Sequence, residues 1–195
     1  MFQKNRIAGV DEVGRGCLAG PVFSAAVILN EKINKKDIKD SKKIPFKKRI
    51  LLSKYIKKNS IYAVGTASVK EINKINILNA SLLSMQRALD KLKLKPSIVY
   101  IDGLFAPKGL KIKHKTFVKG DEKITCISAA SIVAKVTRDL FMIKLAKKYA
   151  GEDADITYRL YKIFLKNLKS EKLLNIYEIY SGSLNVKTTS FNIYP

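Results

Sequence analysis

Apolar and polar positions along this chain follow two different periods. Residues 5–13 and 20–29 read as two strands, the first beginning as an apolar run at Ile7 and the second reading Gly20-Pro21-Val22-Phe23-Ser24-Ala25-Ala26-Val27-Ile28-Leu29. The short glycine-rich link between them permits a hairpin. A charged loop covers 31–43. Pro45 then sits in the first turn of a helix, and Ile50, Leu51, Tyr55 and Ile56 follow at helical spacing. Residues 60–69 predict a third strand. The clearest helix comes next: Leu78, Leu82, Met85, Leu89 and Leu92 recur at i, i+4, i+7, i+11 and i+14, and Pro96 marks its end. Ser97 to Gly103 is a short β-branched strand closed by an acid and a glycine, and 113–119 predicts a fifth. From about Thr125 to Tyr149 a helix is expected, opening with Ser128-Ala129-Ala130-Ser131, small residues that allow close packing on a sheet. Strands interleaved with helices predict an α/β sandwich. At Gly151 the composition changes, and a helical tail is expected to about Tyr180, with 181–195 irregular. The predicted division is a domain over 1–149 and a helical segment over 150–195.

One stretch breaks the pattern. The first strand runs Ile7-Ala8-Gly9-Val10 and then places Asp11 and Glu12 side by side before Gly14-Arg15-Gly16. Adjacent strand residues point to opposite faces, so a core strand here would bury at least one carboxylate at high cost unless a cation receives it. Such conflicts between an element and its charges mark functional sites. The alternative is that both acids lie past the strand end as solvated turn residues.

Composition narrows the partners. The 195 residues suit one domain with a small appendage, and 47% hydrophobic content supports a real core. Lys+Arg total 38 against 16 Asp+Glu, a formal charge of +22. This excess opposes compaction and suits a polyanion, with nucleic acid before anionic membrane. Lysine dominates, which fits general phosphate attraction better than planar bidentate readout. Cys17 and Cys126 form no CxxC pair and are expected as small buried residues in a reducing compartment. No signal peptide or bilayer-spanning run is visible, so a cytoplasmic protein is expected.

Two further acids stand at element boundaries, Asp102 before Gly103 and Asp121 after Gly120. Sites form at strand ends in α/β sheets. If Asp11, Glu12, Asp102 and Asp121 converge, their like charges require cations. Oxygen donors without His or Cys call for Mg²⁺ or Mn²⁺, and a pair of such ions is a standard arrangement for phosphodiester cleavage. The competing reading makes Asp102 and Asp121 ordinary strand caps. His114, the one histidine, lies among lysines and is expected on the surface. No Walker A sequence occurs, and Gly14-Arg15-Gly16 is too short for a dinucleotide fingerprint.

Together these segments resemble the ribonuclease HII (type 2 ribonuclease H) family. Ala8-Gly9-Val10-Asp11-Glu12-Val13-Gly14-Arg15-Gly16 is similar to its opening signature, and Asp40-Ser41-Lys42-Lys43 to its Asp-Ser-Lys-Lys segment. Tyr100-Ile101-Asp102-Gly103 resembles its third-acid strand. Lys119-Gly120-Asp121, followed by Ile127 to Asp139, resembles its fourth acid and the helix behind it. The resemblance is collinear over residues 6–149. It implies a ribonuclease H-like fold, a central mixed five-stranded sheet whose first three strands are antiparallel, flanked by helices. It also implies endonucleolytic cutting of RNA in RNA–DNA hybrids, including ribonucleotides embedded in duplex DNA, with 3′-hydroxyl and 5′-phosphate products. Carried over, Asp11, Glu12, Asp102 and Asp121 are the catalytic metal ligands. Gly14, Arg15 and Gly16 approach the ribonucleotide, where glycines allow close contact and the 2′-hydroxyl distinguishes RNA. Ser41, Lys42 and Lys43 contact phosphates, or else form a solvated loop. A monomer is expected. The resemblance stops after Tyr149: no His-Lys-Gly-Tyr segment occurs, and the tyrosine that packs on the junction sugar is missing, with Tyr158 and Tyr161 as candidate substitutes. A chain that binds hybrid or duplex without cutting is the alternative function.

Overall fold

A computed structural model describes residues 6–31, 33–34, 38 and 44–170. The chain falls into two compact units, Met1–Ile143 and Lys144–Pro195. In the first, strands β1 (Ile7–Val13), β2 (Val22–Leu29), β3 (Ser60–Ala67), β4 (Ile98–Asp102) and β5 (His114–Phe117) form one sheet in the order β3-β2-β1-β4-β5. The first three pair antiparallel, and β1–β4 and β4–β5 pair parallel. The mixed five-stranded sheet implied by the sequence is therefore present. Helices α1 (Phe46–Lys58), α2 (Val69–Asp90), α3 (Gly120–Lys123) and α4 (Thr125–Ser170) complete the described elements.

Strand alternation divides the core between two faces. Ala8, Val10, Ala26, Ile28, Val99 and Ile101 pack with Met85, Ala88, Leu89 and Leu92 of α2 and its end. The alternate residues Ala25 and Val27 pack with Ile56 of α1 and with Ala129, Ala130, Ile132, Val133 and Ala134 of α4. Small residues set the layer spacing. A Cβ on Gly9 would stand 2.1 Å from the carbonyl carbon of Cys126, so β1 and the start of α4 touch through their backbones.

Helix α2 begins at a capping box. Ser68 Oγ accepts from Glu71 N–H, and the Glu71 carboxylate accepts from Ser68 N–H. The helix is interrupted at Asn76, whose φ of 66° and ψ of 168° are non-helical and whose side chain accepts from Asn79 N–H, restarting the helix. The sequence pattern had suggested a break at Gly151, between a helix ending near Tyr149 and a separate tail. Instead α4 runs through Gly151 to Ser170. One glycine costs a helix only about 1 kcal/mol, and the ion pairs Lys148–Glu152 and Arg159–Asp155 support the turns around it. The expected tail from 171 and the irregular end lie outside the described residues.

Candidate active site

Asp11 and Glu12 belong to β1 itself, not to a turn beyond it. Val10 pairs with Ile101, so the next residues on these parallel strands, Asp11 and Asp102, emerge side by side at their C-terminal ends. Asp11 is 4% exposed and Asp121 6%. Asp121 comes from α3, just after β5. Lys119 turns the chain into α3 in the left-handed region at φ 54°, and Gly120 lets that turn close: its Cβ would stand 3.3 Å from Asp102 Oδ1, and its N–H donates to that oxygen at 2.6 Å. Ser128 of α4 donates to the Asp121 carbonyl.

All four acids line one cavity of about 360 Å³. Arg49, Ser131 and Lys135 line it too. Burial pushes the Asp11 carboxyl well above its ordinary value; the Glu12 charge adds to this, a hydrogen bond with Ser131 opposes it, and Asp102 raises it further. Burial also raises Glu12, against the lowering effect of its hydrogen bond and charge contact with Arg15. Arg15 Nη1 lies 3.2 Å from Glu12 Oε1. Asp11 Oδ1 accepts from Glu12 N–H at 2.7 Å.

The donor set is hard oxygen, and the buried carboxylates repel one another, so Mg²⁺ or Mn²⁺ suits the site chemically. Among the described residues, no three of the His, Cys, Asp and Glu side chains are already gathered as a metal cage. Asp11, Glu12 and Asp102 each accept a hydrogen bond from a protein donor: the Glu12 N–H, the Arg15 guanidinium and the Gly120 N–H.

The substrate-side residues divide. Gly14 is buried at φ 111°, and Gly16 is exposed with no protein atom within 4 Å of a Cβ placed on it. Nothing in the fold requires a glycine at position 16. Ser41, Lys42 and Lys43 lie outside the described residues. Cys17, expected as buried, is exposed, because it sits in the open loop after β1 and not in the strand. Cys126 is intermediate and His114 is exposed, as expected for the latter. Sequence reasoning assigned no role at the site to Arg49, Ser131, Lys135 or Arg138. A signal was available: Ser128, Ser131, Lys135 and Arg138 form a polar stripe along an otherwise apolar stretch of α4. Asp139 ties two of these cations together, at 2.8 Å from Lys135 and 3.7 Å from Arg49.

A family model for ribonuclease HII matches residues 8–158. Ribonuclease HII of Pelagibacter ubique (strain HTCC1062) is 62% identical over 143 residues, covering 73% of this chain and 77% of the relative. Ribonuclease HII of Roseobacter denitrificans is 48% identical over 146 residues, covering 75% of this chain and 74% of the relative. The crystal structure of ribonuclease H2 from Pyrococcus horikoshii OT3 superposes with a TM-score of 0.64 at 32% identity, over 74% of this chain and 77% of that one.

Proposed function

Since the chain belongs to the ribonuclease HII family, whose members are endoribonucleases acting on RNA–DNA hybrids, we propose that it cuts the RNA strand of such hybrids, including ribonucleotides embedded in duplex DNA, to leave 3′-hydroxyl and 5′-phosphate ends. One observation carries this reading: carboxylates from β1, β4 and α3 share a cavity with Arg49 and Lys135. Asp11, Glu12, Asp102 and Asp121 would hold Mg²⁺ or Mn²⁺. When bound, two such ions supply an activated water and neutralise the departing oxygen. The protein's own groups do the rest. Asp102 is aligned by the Gly120 N–H, and Asp11 by Ser131 and the Glu12 N–H. Arg49 and Lys135 bring positive charge to the scissile phosphate, and Asp139 fixes both. Gly14, Arg15 and Gly16 meet the ribose with bare backbone, and the open space over Gly16 is what a substrate would fill. Ser41, Lys42 and Lys43 engage flanking phosphates. The protein acts as a monomer in the cytoplasm.

The test is cleavage of a duplex carrying one ribonucleotide, with Mg²⁺ or Mn²⁺. Wild-type protein should cut it, and Asp102→Asn should lose at least ~100-fold in kcat, since loss of a mere outer-sphere partner already costs roughly 10–100-fold. Equal cutting by both proteins overturns the site; no cutting of any hybrid overturns the activity. A second reading rests on the sequence, which has no His-Lys-Gly-Tyr segment after Tyr149. It makes the chain a hybrid-binding protein without turnover, and binding that ignores Mn²⁺ would select it.

A further inference from the structure

Arg138 is a cation with no role in the chemistry above, yet it is only 5% exposed. Burying a guanidinium is expensive unless it is paired. Among the described residues no carboxylate pairs with it. Its guanidinium instead forks to two main-chain carbonyls: Nε donates to Pro21 O at 3.0 Å and Nη2 to Ala19 O at 2.6 Å. Both carbonyls belong to the loop between β1 and β2, which opens with Gly14, Arg15 and Gly16. The contact extends to both ends of that loop. A Cβ on Gly14 would stand 2.8 Å from Arg138 Nε. One on Gly20 would stand 3.3 Å from Nη2 and 2.6 Å from Met142 Sδ. Each glycine has positive φ, 111° and 89°, so the loop is bent sharply at both ends to seat on one side chain. Between them, residues 15–19 are exposed, Leu18 fully so. The loop is thus held at its two ends and open at its middle.

We propose that Arg138 is a positioning residue for ribose selection: from α4 it anchors both ends of the loop that presents the Gly14-Arg15-Gly16 backbone to the ribose. This rests on the reading of that loop as the ribose-contacting element. The planar fork matters more than the charge, because two carbonyls must be met at once; lysine, a point charge on a flexible stem, cannot do this. Arg138 also sits beside Asp139, which holds Arg49 and Lys135. One turn of α4 therefore sets the loop on one side and the cavity cations on the other.

The experiment compares wild type with Arg138→Lys and Gly20→Ala, the second disturbing the same contact from the loop side. Dissociation constants are read by fluorescence anisotropy in metal-free buffer, for an RNA–DNA hybrid and for a DNA duplex of the same sequence. Mn²⁺ affinity is read by titration calorimetry, and folding by thermal unfolding. Both variants should stay folded and bind Mn²⁺ like wild type. Their affinity for the hybrid should fall about tenfold, while affinity for plain DNA stays within about twofold, because that binding is carried by backbone charge. A parallel fall for both duplexes, or no change for either, overturns the proposal. So does failure of both variants to fold, which would make Arg138 a scaffold residue. Failure of wild-type protein to cut would sink the nuclease reading alone, since these constants are measured without turnover.

Discussion

Burial, the Glu12 charge and, more weakly, Asp102 raise the Asp11 carboxyl in the folded chain, against the opposing hydrogen bonds of Ser131 and the Glu12 N–H. With the folded value raised, the native state keeps a proton that the unfolded state has released. The metal-free protein therefore loses stability as pH climbs from the ordinary carboxylate range through the raised value of Asp11. Asp11→Asn should remove that loss. At neutral pH without divalent ions it should be more stable than wild type, with a higher Tm. The gap should vanish at acid pH. Unfolding temperatures across pH, with and without Mg²⁺, check this; a destabilised Asp11→Asn protein in metal-free neutral buffer would contradict it. The four acids were legible in the sequence because each contradicts its element, a charge on a core strand or beside a glycine at its end. Arg49, Lys135 and Arg138 were not. In a chain with 38 Lys and Arg one more cation offers no contrast, and only the tertiary contact to Asp139 or to the Ala19 carbonyl distinguishes it.

Elements carry the site by contact between backbones. Gly9 faces Cys126 so closely that no side chain fits. Gly9→Ala must push β1 away from α4, costing about 1–3 kcal/mol by overpacking. The same shift moves Asp11 relative to Ser131, so the folded fraction should also cut more slowly. Urea midpoints together with turnover per folded molecule test this, and an alanine variant matching wild type in both would show that the two layers are looser than the contact implies. Strands β1 to β4 were legible from their apolar runs, and α1 and α2 from their periodicity; β5, His114-Lys115-Thr116-Phe117, carries no such run. The break at Asn76 and the continuity through Gly151 were not. Asparagine can serve as a helical residue or as a cap, and a lone glycine as a stop or a tolerated weak point; neighbouring contacts decide each case.

For the molecule as a whole, the charge of +22 predicts affinity dominated by released counterions. Raising salt from 50 to 200 mM should weaken binding to hybrid and plain DNA alike by roughly 10³-fold if at least six phosphates are neutralised, leaving the preference between them intact. Affinity flat across that range would show that the lysines are not the binding surface. Among the described residues no helix is long and apolar enough to cross a membrane. The sheet order has a consequence in time as well as in space. Strands β3, β2 and β1 are contiguous antiparallel neighbours, whereas β4 joins β1 in parallel from far along the chain. Asp11 and Asp102 are thus brought together by closing a loop of roughly ninety residues, a step whose entropy must be met before the contact rewards it. The chain can therefore pair its first three strands before Asp11 has met Asp102, and the cluster of acids is among the last features of the sheet to be assembled.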